Sequence, residues 1–221
     1  MTDNPWSALP LKAPYVLPTD EPAIRSFNAK SHPDIAVRLE LIPEPFLGSP
    51  SAPVILLNLN PGFDNREVPL HSSNPVFIDL SRRNLSHGVS DYPFYLLHPQ
   101  ASASLGQSWW KTKLREPILQ VGLETVARNL LCVEFFPYHS KRFAGARLKV
   151  PSQHYGFDLV RTAIARGALV VVMRGGGSWQ AAVPELATYP RLHRLNSVQN
   201  VSISRGNCPL GYEEIMHALA S

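Results

Sequence analysis

Asn60, Pro61 and Gly62 stand in succession directly after the apolar run of residues 53–59, with Phe63 and Asp64 behind them. Proline fixes one backbone angle and glycine permits a sharp turn, so such a loop is tight and rigid. It would hold the Asn60 amide, with one acceptor oxygen and two donor hydrogens, at the end of the preceding element. The plainer alternative is a strand-ending turn in which Asn60 bonds its own backbone. A second group, Pro137-Tyr138-His139-Ser140-Lys141-Arg142-Phe143, interleaves aromatic and basic residues. Tyr138, Lys141 and Arg142 in that mixture suit phosphate contact and stacking on unpaired bases; the alternative is an exposed basic loop with one packed ring. Gly175-Gly176-Gly177-Ser178-Trp179 lacks both the Gly-Lys-Ser/Thr ending of a phosphate loop and Gly-x-Gly-x-x-Gly spacing, so it does not read as a nucleotide-cofactor site. The histidines are scattered and no Cys-x-x-Cys occurs, so neither a metal nor a cofactor is expected.

The elements that must position these residues follow from the hydrophobic pattern. Residues 53–59, 130–136 and 168–173 are short and almost continuously apolar, bounded by Pro or Gly, which is how strands buried on both faces read. Residues 192–195 form a shorter fourth candidate. Between them, residues 75–85, 104–127 (interrupted near Pro117), 152–166 (with Ser152 as N-cap), 178–187 and 209–220 carry helical patterns, and residues 32–41 are expected as a short helix ending before Pro43. Alternating strands and helices predict an α/β fold: a three-layer α/β/α sandwich around a mainly parallel four-stranded sheet. Ligands bind beyond the carboxyl ends of strands in such sheets, where loops 60–64, 137–142 and 196–207 converge. Residues 1–22, with five prolines, read as an extended arm, and residues 23–221 as a single domain.

Leu57-Asn58-Leu59-Asn60-Pro61-Gly62 resembles the first motif of the uracil-DNA glycosylase superfamily, in the Gly-x-Asn-Pro-Gly form of its mismatch-specific and single-strand-selective branches. Here Asn58 stands where the leading glycine is expected. The likeness extends weakly over residues 52–207: Val133-Glu134-Phe135-Phe136-Pro137 is similar to the second strand, residues 169–175 to the strand before the last motif, and Ser202-Ile203-Ser204-Arg205-Gly206 to the tail of the final loop. The resemblance implies hydrolysis of the N-glycosidic bond of a base flipped from DNA. It implies that Asn60 positions the attacking water, that Phe63 lines the base pocket, and that Phe77 either stacks on the base or lies in the core. It also brings Ser202 and Arg205, with Lys141 and Arg142, to the nucleic acid. Two departures stand out. The final motif's His-Pro-Ser is replaced by a stretch offering Asn196, Ser197, Gln199 and Asn200, with Asn200 counted to the base pocket. Glu134 lies near the place of the base-reading Asn, and a carboxylate there favours a base edge that presents donors, such as a cytosine or adenine amino group. A noncatalytic nucleic-acid- or partner-binding module on the same scaffold is the alternative.

Composition sets the outer limits. At 221 residues, 44% hydrophobic and 17% charged, the chain fits one globular domain and is too apolar for general disorder. No apolar run approaches a membrane span and no signal peptide is evident, and two cysteines give no disulfide framework, so a cytoplasmic protein is expected. Residues 1–137 carry 11 Lys/Arg against 13 Asp/Glu, whereas residues 138–221 carry 10 against 4. A basic C-terminal third suits a polyanionic partner such as DNA; a solubilising charge excess is the plainer account.

Overall fold

A computed structural model of the chain describes residues 3–102, 104–144 and 148–221. Five strands form one mixed sheet: β1 (Phe46–Gly48), β2 (Val54–Asn58), β3 (Leu130–Glu134), β4 (Leu169–Val172) and β5 (Leu192–Arg194), in the order β1-β3-β2-β4-β5. β2 pairs parallel with β3 and β4, and β4 pairs parallel with β5. β1 runs antiparallel along the outer edge of β3. The expectation of four strands is therefore corrected to five. β1 escapes the sequence pattern because it has only three residues among prolines and ends at Gly48, whose φ is 109° and whose Cβ, if present, would lie 2.0 Å from the Leu130 carbonyl oxygen.

The helices in chain order are α1 (Glu21–Asn28), α2 (Val68–Ser73), α3 (Pro75–Leu85), α4 (Leu105–Lys113), α5 (Arg115–Val121), α6 (Leu123–Asn129), α7 (Gln153–Ala165), α8 (Gly176–Ala182) and α9 (Tyr212–Ala220). The long helical stretch breaks at Leu114 and Gly122, not at Pro117, which sits in the first turn of α5 where a missing N–H does no harm. Ser152 precedes α7 but makes no side-chain cap. Every residue of β2, β3 and β4 is buried. Alternate side chains enter two different apolar clusters: Ile55, Leu57, Leu131, Val133, Val170 and Val172 pack with Val160 and Ala163 of α7, while Val54, Leu56, Leu130, Cys132, Leu169 and Val171 pack with Val126 of α6 and Ile215 of α9. The two-residue period of a strand thus explains why these runs are apolar throughout.

Residues 32–41 are not helical. Asn28 at the end of α1 donates to the Val37 carbonyl (2.9 Å) and accepts from the Val37 N–H (2.8 Å), an amide standing in for a neighbouring strand. Arg38 then bridges antiparallel to His139, and the Tyr15 N–H reaches the Leu39 carbonyl at 2.7 Å. The proline-rich arm has little regular structure, yet it lies against the domain: Trp6, Leu9, Tyr15, Val16 and Leu17 are all buried. No helix among the described residues is long and apolar enough to cross a membrane.

Candidate active site

The parallel register sets Asn58 of β2 beside Glu134 of β3 at the carboxyl ends of neighbouring strands. Both side chains are buried, and Asn58 Nδ2 donates to Glu134 Oε1 at 3.0 Å. The pairing continues past the strands, with the Phe135 and Phe136 N–H groups on the Asn58 and Leu59 carbonyls and the Ser140 N–H on the Pro61 carbonyl. This carries Asn60 to the same end of the sheet. Its Nδ2 donates to the Pro61 carbonyl (2.8 Å) and to Ser140 Oγ (2.9 Å). With both amide hydrogens engaged, Oδ1 is the group that remains for a ligand or water. His139 braces the loop from below: its Nδ1 lies 2.6 Å from the Gly62 carbonyl oxygen and its Nε2 2.9 Å from that of Ile42.

A cavity of about 520 Å³ opens here, within the range of small-molecule sites. Asn58, Asn60, Glu134, Glu44, Phe63 and Trp109 are among its lining residues. Burial pushes the Glu134 carboxyl up to about 8, with Glu44 adding to the rise and the Asn58 hydrogen bond opposing it. Glu44 is raised for the same first reason, burial, although Tyr95 donates to its Oε1 at 2.6 Å. Glu134 Oε2 and Asn58 Oδ1 are buried and have no hydrogen-bond partner among the described residues. Burial also raises the Cys132 thiol, which leaves it an inert neighbour. The walls are aromatic. The Arg38 guanidinium sits 4.0 Å over the Phe63 ring, and Trp109 stands edge-on to Trp110 with Lys113 and Arg174 at 5.7 and 6.0 Å from its ring centre. Trp110 is core and Trp109 only half-buried.

No family model matches this chain, and no curated protein and no solved structure does either.

Of the residues singled out in the sequence, Asn60, Phe63, Glu134 and Lys141 all line this one cavity. Lys141 is also held by Asp34 at 3.0 Å. Others lie elsewhere. Phe77 is a core residue, packed edge-to-face against His71 and Tyr95. Tyr138 cannot stack on a base as it stands: it is fully buried, with its hydroxyl donating to Asp20 Oδ2 (2.7 Å) and accepting from the Leu17 N–H (3.2 Å). Arg142 is exposed outside the cavity lining, 3.9 Å from Asp34. Asn200 does not line the cavity either; its Oδ1 accepts from Lys113 Nζ (2.9 Å) and from Ser202 Oγ (3.0 Å). Arg205 is ion-paired with Glu213 beside the Tyr212 ring. The link from loop 196–207 to the cavity is Arg174, a lining residue whose Nε donates to the Val198 carbonyl at 3.3 Å. Asn58, Glu44, Trp109 and Arg174 are site residues that the motif reading passed over. Asn58 carried a signal: it is polar in an apolar strand and two residues from Asn60, hence on the same face. Among the described residues no group of three or more His, Cys, Asp or Glu could hold a metal ion.

Proposed function

We propose that this chain hydrolyses the N-glycosidic bond of a base flipped out of DNA, on a three-layer α/β/α scaffold of the uracil-DNA glycosylase kind. The observation that carries the reading is the meeting of Asn60 and Glu134, from the ends of adjacent parallel strands, in one cavity with half-buried aromatic walls. In it, Asn60 Oδ1 accepts a hydrogen from a water and aims its oxygen at the anomeric carbon. An amide is a poor base, so this suits a dissociative reaction in which position and electrostatics dominate. Phe63 and Trp109 flank the base, and the cations of Lys141 and Arg174 at the cavity face the sugar-phosphate chain. The test is base release from oligonucleotides carrying uracil, hypoxanthine, xanthine or a mismatched base. Asn60→Ala is expected to lower release by about 100-fold or more while oligonucleotide affinity changes little. Asn60→Asp, which still orients water, keeps part of the activity. Release that is equal in wild type and Asn60→Ala removes Asn60 from the mechanism. Oligonucleotide binding with no release of any base favours a noncatalytic module.

A further inference from the structure

The floor of the cavity carries two polar atoms without partners. Asn58 Nδ2 occupies Glu134 Oε1, leaving Glu134 Oε2 and Asn58 Oδ1 without partners in residues that are 6% and 4% exposed. No cation lies within ion-pair distance of Glu134 among the described residues, and a second carboxyl, Glu44, lines the same space. Burial, with Glu44 adding to it, outweighs the Asn58 hydrogen bond and the attraction of Arg174 and keeps the Glu134 carboxyl neutral. Because Oε1 accepts from Asn58, the acid hydrogen belongs on Oε2. The hydrogen-bonded pair then has one free donor, Glu134 Oε2–H, and one free acceptor, Asn58 Oδ1.

We propose that the Asn58–Glu134 pair reads an amidine edge, a ring nitrogen beside an exocyclic amine as in adenine and cytosine, and that Glu134 is the acid that protonates this ring nitrogen as the base leaves. The inference rests on the glycosidic reading above and narrows its substrate class. Before the step, Glu134 Oε2–H donates to the ring nitrogen and the exocyclic amine donates to Asn58 Oδ1. During it, the C–N glycosidic bond breaks and its electron pair passes into the base, while the Oε2 hydrogen moves to the ring nitrogen. Water oxygen bonds to the anomeric carbon and releases a proton to solvent. The base departs neutral, and the Glu134 carboxylate takes a proton back from solvent. Both contacts survive the transfer, since the new ring N–H donates to the carboxylate. Aminated bases are poor leaving groups without such protonation, whereas a base with a keto edge leaves more readily as an anion and has less use for the acid. Burial holds the Glu134 proton in place up to about pH 8, which suits an acid working near neutrality.

The experiment has two arms. Equilibrium dialysis with free adenine, cytosine, uracil and hypoxanthine measures edge recognition without chemistry. Oligonucleotides with each base at a mismatch measure release. The expected result is retention of adenine or cytosine at least about tenfold tighter than uracil and hypoxanthine, with release following the same order. Glu134→Gln keeps an acceptor for Asn58 and a donor for the ring nitrogen but has no proton to give. It is expected to retain the bases within about threefold and to lose release by about 100-fold. Asn58→Ala, which removes the acceptor for the amine, is expected to erase the preference for aminated bases. Preferential retention and release of the keto bases overturns the amidine edge and leaves the hydrolytic reading standing. Undiminished release by Glu134→Gln overturns its role as acid. Adenine or cytosine retained without release overturns the hydrolysis and the acid role while upholding edge recognition, and no retention or release of any base overturns both proposals.

Discussion

Glu134 concentrates the chemistry of the site in one proton. A carboxyl with an ordinary value near 4.5 is held at about 8 by burial, so between those values the folded chain keeps a proton that the unfolded chain has lost. The folded state binds more protons in that window, and stability therefore falls as pH rises from about 4.5 through about 8, with a limiting slope of about 1.4 kcal/mol per pH unit from this group alone. Glu134→Gln removes the titration. Urea unfolding of the two proteins at a series of pH values is expected to show the Glu134→Gln curve gaining on wild type as pH rises through the window. Parallel curves would place the Glu134 titration outside the folded interior. His71 acts with the opposite sign over the lower part of the window. Burial, with His139 adding to it, holds its ring down at about 2, so below about 6.5 the unfolded chain binds a proton that the folded chain does not, and this group's contribution rises with pH until it levels off near 6.5.

At the scale of the element, β1 is the sharpest case. It is a three-residue strand whose last residue can only be glycine, because any side chain at Gly48 meets the Leu130 carbonyl and φ lies in the left-handed half of the map. Gly48→Ala is expected to destabilise the fold by more than about 2 kcal/mol, measured by denaturant unfolding, with the lesion confined to the β1–β3 edge. The three central strands were legible in the sequence because burial on both faces leaves a continuous apolar run. β1 was not, since three residues carry no period. The stretch 32–41 misled because its structure comes from one amide, Asn28, pairing with Val37, which no local pattern records. The site was half legible. Asn60 announced itself through its turn, and Glu134 through its place at a strand end. That Asn58 holds Glu134 depends on a strand register spanning 76 residues. Which of the two consecutive tryptophans is core and which is half-buried at the cavity depends on how α4 is rotated against its neighbours. The pairing of Arg205 with Glu213 was not legible either, because Glu213 comes from the helix that follows the loop.

Across the whole molecule, the arm and the site share a foundation. Trp6 packs edge-on against Tyr138 (5.8 Å between ring centres), and the Tyr138 hydroxyl bonds the fully buried Asp20, whose other oxygen accepts from the Ser152 N–H ahead of α7. Tyr138 is followed by His139 and Ser140, the two residues that grip the loop of Asn60. Trp6→Ala is expected to cost about 3–5 kcal/mol of stability, as for a large ring removed from a packed core. It is also expected to loosen residues 138–140, seen as faster amide hydrogen exchange there than in β4. Faster exchange confined to residues 3–10 would separate the arm from the site.

The hydrogen bonds of the Asn60 amide have a further consequence. A free asparagine side chain turns about two bonds, and a ligand that fixes it must oppose that rotational freedom. Here both hydrogens are already tied, one to Pro61 and one to Ser140, so the side chain is immobilised when the chain folds. A water arriving at Oδ1 meets a stationary acceptor and surrenders only its own motion. Capture of that water then depends on the stiffness of the loop, and a change at Ser140, which need never touch a ligand, would be felt as a looser hold on the water.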